Sequence, residues 1–497
     1  MSFQLEETTI AAIHAAYRAG EITCADLVDR YLARIKAYDK QGPAINSIVT
    51  VSARAAEEAR TLDEAFARSK TFEGPLHGIP VVVKDQVETA GIMTTFGSVV
   101  ADGYVPEKDA TVIANLRAAG AIILAKTTLP DFATSWFAYS SKSATTKNPY
   151  DLARDPGGSS SGTGAAVAAN FAAVGIGEDT GGSIRVPSSF NSLVGLKVTP
   201  GLISRTGMSP LVLFQDSAGP MCRTVSDVAA LLEVLVGFDA EDPYTAAAVI
   251  AGEVKYTAYL DSAALTGATI GVVPQAFGAA DDAEAQSVNE VIEQAIAAMN
   301  KAGATIVDVE IPDLMDQILY SSLYINHSKH DIDSFLAKRP QLTLRTTQEI
   351  YDQKKYHPNL DLFEQIVQDG PADPLADPEY WPRYAAREKF QRNVINVMAK
   401  AGAIALVFPT VQLPPPTRAD LDGKRWTVLT YPTNTLIAAQ TWMPAISVPA
   451  GFTKDGLPVG IEVVGLPYRE ADLLSIAYSF EQLTKYRKPP ASTPPLE

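Results

Sequence analysis

The chain has 497 residues, enough for one large domain or two to three ordinary ones. Its 46% hydrophobic and 20% charged residues describe a globular protein with a large core, and a net charge of −16 argues against nucleic acid or an anionic membrane as partner. Two cysteines, Cys24 and Cys222, cannot build a disulfide framework and point to a reducing compartment; with only five scattered histidines, a structural zinc site is not expected.

The opening residues, MSFQLEETTI, have no basic start and no apolar run, so no signal peptide is expected and the expected location is cytoplasmic. Residues 6–39 read as two helices. Thr23 is placed to cap the second, in which Leu27, Tyr31 and Ile35 recur at helical spacing. A third helix is expected over 52–66. This N-terminal layer, residues 1–70, shows no chemistry, and His14 on its alanine-rich face reads as packing. From Gly74 the pattern turns to α/β. Residues 78–84, GIPVVVK, read as a buried strand ending in Lys84, with His77 just before it read as structural. A loop with Thr94, Thr95 and Gly97 leads to a helix over 108–119, stopped by Gly120, and a strand over 121–125. Strands alternating with helices imply a sheet covered on both faces.

Two glycine- and serine-rich turns follow. GGSSSGTG (157–164) precedes an alanine-rich segment, 165–173, read as a buried helix. VGIGE (174–178) reads as a short strand leading into DTGGSIR (179–185). Both turns bring small side chains and bare N–H groups to the end of an element, where negative charge is favoured. A phosphate loop would need a lysine after the glycines, and a dinucleotide site would need the rest of a βαβ unit after Asp179; neither is present. An oxyanion hole is the other use, with close packing as the plain alternative. Lys84 favours the oxyanion hole. An apolar strand delivers its amine to a dry place, desolvation lowers a lysine's pKa, and a neutral lysine can serve a serine nucleophile as base.

The central block closes with a helix from Val225 to about 237. Residues 269–273 and 306–311 read as strands flanking a helix over 284–302, a right-handed βαβ unit if parallel. Residues 314–400 read as mostly helical, and His327, His330 and His357 lack metal-like spacing. Further strands are expected over 403–408, 445–450 and 459–464. Residues 427–453 carry no charge, but Pro432, Asn434, Gln440, Pro444 and Pro449 make a buried core the better reading than a membrane span. The tail Pro489–Pro495 is expected to fray.

Taken together, Lys84, GGSSSGTGAAVAAN, DTGGSIRVPSSFNSLVGLKVTPG, DSAGPM with Arg223, Thr224, Val225 and Asp227, and MPAISVP followed by GLPVG form an ordered set. Over residues 5–485 the set resembles the amidase signature family of serine hydrolases, and within it the peptide amidase, aryl acylamidase and urethanase-like branch. Ser161 stands where many members have glycine. The resemblance implies an α/β amidase signature fold, a large mixed twisted β-sheet covered by helices on both faces. It implies one compact catalytic domain: a core over 71–237, a variable substrate-entrance region over 238–400, and residues 401–497 completing the sheet. It implies a Ser-cisSer-Lys triad in which Ser183 attacks, Ser159 relays the proton and Lys84 is the base. The N–H groups of Thr180, Gly181, Gly182 and Ser183 then face the oxyanion, with Ser160, Asp179 and Arg185 in support. No cofactor or metal is implied, and a homodimer would be ordinary.

Met93, Phe132, Trp136, Phe137, Phe214, Tyr324 and Trp442, with Tyr139 and Tyr320, are the candidates for a substrate pocket. Apolar walls suit small neutral amides such as aryl amides and peptide amides, with esters and aryl carbamates (urethanes) as further substrates. Two other readings stand beside this one. The first is the A subunit of a glutamyl-tRNA amidotransferase, releasing ammonia from glutamine, although residues 131–160 lack the phenylalanine-methionine-glycine signature expected there. The second is a silent binding module, which the intact Lys84, Ser159 and Ser183 oppose.

Overall fold

The computed structural model describes residues 3–496. Its strands in chain order are β1 (Ile48–Val51), β2 (Pro80–Lys84), β3 (Ile122–Thr127), a separate hairpin of β4 (Tyr139–Ser140) and β5 (Ala144–Thr145), then β6 (Val174–Asp179), β7 (Val194–Lys197), β8 (Ser217–Cys222), β9 (Thr269–Val272), β10 (Thr305–Asp308), β11 (Ala405–Pro409), β12 (Ala445–Phe452) and β13 (Pro458–Val464). Eleven of them form one sheet in the order β1-β3-β2-β6-β8-β7-β12-β13-β11-β9-β10. β3, β2 and β6 run parallel, as do β11, β9 and β10, while the pairings between these groups are antiparallel. The sheet is therefore mixed, as expected.

Every residue of β2, β3, β6, β7, β8, β11 and β13 is buried. Successive side chains point to opposite faces, so helices must cover both. The run PVVVK needs such a setting, because Val81, Val82 and Val83 are apolar on either side. The N-terminal layer is three helices, Ile10–Ala19, Cys24–Tyr38 and Ala55–Ser69. Thr23 caps the second through a capping box with Asp26. Residues 238–400 are not set apart from the sheet: they supply β9 and β10, which pair in parallel, and the helix Ala283–Lys301 between them. Residues 427–453 hold the short helix Leu436–Gln440 and β12. Among the described residues no helix is long and apolar enough to cross a membrane.

Two expectations need correction. The alanine-rich helix runs over Ser161–Ala168 rather than 165–173. It stops early because Asn170 turns to a positive φ of 58° and its side chain accepts the Glu7 N–H at 2.8 Å. The C-terminal tail is also held in place rather than frayed. The buried Arg34 guanidinium donates to the carbonyls of Thr493 (2.7 Å) and Pro494 (2.9 Å), and Ser492 Oγ donates to Pro149 O at 2.5 Å. The same guanidinium reaches Ala169 O and Asn170 O at 3.0 Å and Glu6 at 2.7 Å. One cation thus ties the tail to the end of the Ser161–Ala168 helix.

Arg34→Met should therefore destabilise the fold by on the order of 3 kcal/mol, since it strands several buried acceptors at once. A thermal or urea midpoint indistinguishable from wild type would show that the tail contributes nothing to stability.

Candidate active site

β2 and β6 are parallel neighbours, with Val83 opposite Ile176. Their carboxyl ends therefore bring Lys84 and Glu178 side by side where parallel strands end, the usual place for chemistry in such sheets. Lys84 Nζ donates to Ser159 Oγ at 2.8 Å, to the Glu178 carbonyl at 3.2 Å and to Glu178 Oε2 at 3.1 Å. Neither side chain of the Lys84–Glu178 pair is more than 1% exposed. Burial drives the Lys84 amine below its ordinary pKa, and the Glu178 carboxylate opposes that fall.

The Gly158–Ser159 peptide bond is cis. The adjoining Ser160 N–H donates to the Ser183 carbonyl at 3.1 Å, so the turn carrying Ser159 lies against the turn carrying Ser183. Ser160 Oγ donates to the Glu178 carbonyl at 3.2 Å. Ser183 lines the cavity described below, while the Ser159 hydroxyl is engaged by Lys84. The structure thus brings Lys84, Ser159 and Ser183 together.

The turn 180–184 is held by Asp179. Its carboxylate accepts the N–H groups of Gly182 (2.7 Å) and Ile184 (3.0 Å) and pairs with Arg185, whose Nε and Nη2 each lie 3.0 Å from it. Burial raises the Asp179 pKa, but Arg185 and these donors outweigh it and hold the carboxyl below its ordinary value. Arg185 also donates to Thr435 O at 2.9 Å and pairs with Glu462. Of the four N–H groups expected to face an oxyanion, that of Gly182 is instead taken by Asp179, which leaves those of Thr180, Gly181 and Ser183 as the candidates. Both glycines are closely approached. A Cβ on Gly181 would collide with the Tyr324 hydroxyl, and one on Gly182, at φ 133°, would collide with Thr435 Oγ1.

A cavity of about 370 Å³ opens over Gly181 and Ser183. Trp136 and Tyr324 line it. The other five expected pocket residues do not. Phe132, Phe137 and Phe214 are buried in the aromatic core behind it, where Phe137 meets Tyr431 and Phe214 meets Tyr384 and Trp442. Trp442 packs on that core, and Met93 lies apart in a half-buried loop. Tyr139 stacks on His357, and Tyr320 is surface-exposed. The walls come instead from aliphatic residues such as Leu314, Ile318, Ile325 and Leu436, with Gln275, Gln412, Asn434 and Gln440 as neutral polar groups. The helix Leu314–Tyr320 contributes this wall through Leu314, Met315, Ile318 and Leu319, a helical spacing that the sequence already displayed.

Three functional candidates escaped the sequence reading. Glu178 is one, and its signal is a second carboxylate beside Asp179 at the end of an apolar strand. Gln215 is the second. Its Nε2 donates to the Thr180 carbonyl at 2.5 Å and to Tyr324 Oη at 3.1 Å, which fixes the peptide bearing the Gly181 N–H. The third is buried Arg387, which donates to Gln215 Oε1 and to Ser321 O; nothing in its surroundings in the chain marked it. His77 stacks on Phe72 with centroids 4.9 Å apart in the N-terminal layer, and His14 Nε2 donates to the His77 carbonyl at 3.0 Å. His327 pairs with Asp331 at 2.7 Å. Among the described residues no group of three His, Cys, Asp or Glu side chains is placed to hold a metal.

Comparison with known proteins gives a family model described as Amidase, matching residues 26–474. The A subunit of the glutamyl-tRNA(Gln) amidotransferase of Symbiobacterium thermophilum is 33% identical, over 96% of this chain and 97% of that protein. Its namesake from Alkaliphilus metalliredigens is 34% identical over the same shares. Among solved structures, the native peptide amidase from Stenotrophomonas maltophilia is 33% identical and covers 98% of each chain with a TM-score of 0.87.

A lysine lowered by burial carries its proton at low pH and is free to accept one at higher pH. Turnover of a 4-nitrophenyl ester should therefore rise as pH increases through the neutral range. Lys84→Met should lose about 10²–10⁴-fold, and His77→Ala should keep its activity if folded. A His77→Ala enzyme as inactive as Lys84→Met at normal stability would move the base elsewhere.

Proposed function

The chain belongs to the amidase family, and from that premise we propose that it hydrolyses small neutral amides through an acyl ester on Ser183. One observation carries the neutral part of this reading: among the described residues, no Asp, Glu, Lys, Arg or His side chain lines the cavity over Ser183. A charged substrate entering it would lose water without gaining a partner.

In the proposed reaction, Ser183 Oγ bonds to the carbonyl carbon and the carbonyl π electrons move to oxygen. The Ser183 proton passes to Ser159 Oγ, whose own proton passes to Lys84 Nζ. In the resting site Ser159 already holds the lysine at 2.8 Å, and the Ser160 N–H on the Ser183 carbonyl at 3.1 Å keeps the two serine turns against each other. The N–H groups of Thr180, Gly181 and Ser183 receive the oxyanion, each such donor being worth about 3–4 kcal/mol in other enzymes. As the C–N bond breaks, the proton returns through Ser159 to the leaving nitrogen. Water then adds to the acyl ester by the same route and frees Ser183.

Aryl amides and peptide amides fit this account, and esters and aryl carbamates present the same carbonyl. The likeness to a peptide amidase supports the reading. The protein needs no cofactor in this scheme, and its net charge of −16 supports small molecules over nucleic acid as its targets.

The relatives named as amidotransferase subunits favour a second reading, release of ammonia from glutamine. Free glutamine carries an α-ammonium and an α-carboxylate, and both would need counter-charges that the cavity walls do not offer. Matched kinetics on 4-nitroacetanilide, a peptide amide, an aryl carbamate and glutamine separate the two. We expect kcat/KM for the best neutral substrate to exceed that for glutamine by about 100-fold, a preference of roughly 3 kcal/mol. Glutamine as the best substrate of the isolated chain would overturn the proposal.

A further inference from the structure

A neutral lysine has two N–H bonds and one lone pair, and it acts as a base only if the lone pair points at the proton to be taken. Around Lys84 Nζ stand three acceptors: Ser159 Oγ at 2.8 Å, the Glu178 carbonyl at 3.2 Å and Glu178 Oε2 at 3.1 Å. The ammonium form fills all three. When one proton leaves, Glu178 alone can keep both remaining N–H bonds, because its backbone and its side chain each offer an oxygen. The lone pair is then left facing Ser159. Among the described residues no other carboxylate pairs with the amine.

We propose that Glu178 is a positioning residue of the base, aiming the Lys84 lone pair at Ser159 and setting the pH at which the lysine gives up its proton. The inference rests on the Ser183–Ser159–Lys84 reading and adds a residue to it.

The surroundings of the carboxyl group support the assignment. The Thr180 hydroxyl, on the turn that follows β6, stands between two carboxylates, 3.0 Å from Glu178 Oε1, and its single proton serves one of them at a time. The same hydroxyl lies 2.6 Å from Asp216 Oδ1. Asp216 in turn accepts the N–H groups of Leu211 at 2.9 Å and Val212 at 3.1 Å. Asp179, the next residue along β6, faces away into the Arg185 pair. The groups facing Glu178 are therefore Lys84 from β2, Thr180 from its own turn and Asp216 from the segment before β8. Glu178 is fully enclosed and burial raises its pKa, with the Asp216 carboxylate adding to the rise and Lys84 opposing it. Lys84 is thus the cation that compensates it. The attraction works both ways: a carboxylate at this distance keeps the lysine more basic than dryness alone would leave it.

Glu178→Gln tests this. The amide keeps the shape but removes the charge, and it meets the lysine with either a weaker neutral oxygen or an N–H donor in place of the carboxylate oxygen. The acid limb of the kcat/KM–pH profile for 4-nitroacetanilide should move to lower pH by at least about 1 unit. The plateau should fall by about 10-fold or more, since a misdirected lone pair forfeits part of the general-base effect. Glu178→Ser, a smaller neutral side chain, should move the limb the same way and guards against a fault peculiar to glutamine. A limb at its wild-type position in both variants, whatever happens to the plateau, would reduce Glu178 to a structural residue and overturn the inference while leaving the triad intact. A Lys84→Met enzyme with the wild-type profile would overturn the triad reading itself, and this inference with it.

Discussion

Everything at this site depends on keeping one lysine amine out of water. Lys84 is fully buried at the end of a strand whose every residue is buried. Taking an ammonium out of water costs several kcal/mol even after the protein relaxes. Three features offset that loss here: a serine oxygen, a backbone carbonyl and a carboxylate, all within 3.2 Å. The enclosure itself comes from the sheet. β2 lies between β3 and β6, both parallel to it and both wholly buried, so no solvent reaches the amine from either side.

A second buried charge system sits beside the first and does different work. Arg185 is held between Asp179 and Glu462, all three side chains fully buried. Asp179 uses its remaining capacity on the N–H groups of Gly182 and Ile184. That arrangement shapes the turn and leaves the neighbouring N–H groups to the cavity. The alternation of side chains along β6 separates the two systems: Glu178 faces the lysine and Asp179 faces the arginine. Gln215 links the turn to the outer region by fixing the Thr180 carbonyl and touching Tyr324 and Arg387. Cavity walls from residues 314–325 and 428–440 are thus tied to the turn 180–183 through hydrogen bonds as well as through packing.

What the sequence made legible was local. The run GIPVVVK could only be a buried strand delivering a lysine, and the two glycine turns could only end elements. Thr23 announced its cap, and the strands from β9 to β13 followed from short apolar runs. What it hid was long-range or directional. The aromatics chosen for the pocket, Phe132, Phe137 and Phe214, are core residues, because size and apolarity do not say which way a loop side chain turns. The Gly182 N–H reads as free in DTGGS, because nothing in those residues shows Asp179 folding back on its own turn. The tail was expected to fray because its partner, Arg34, stands some 460 positions away. Arg387 belongs to the same class, a buried cation whose contacts come from residues 215 and 321.

The central claim is that Ser183, served by a dry lysine through Ser159, carries the acyl group. The most direct measurement is mass spectrometry of the enzyme quenched in acid during turnover of 4-nitrophenyl butyrate, followed by peptide mapping. The account predicts one butyryl group on the peptide containing Ser183, placed on that side chain, and none in the Ser183→Ala protein. A butyryl group on Ser159 or elsewhere, with hydrolysis continuing in Ser183→Ala, would contradict it.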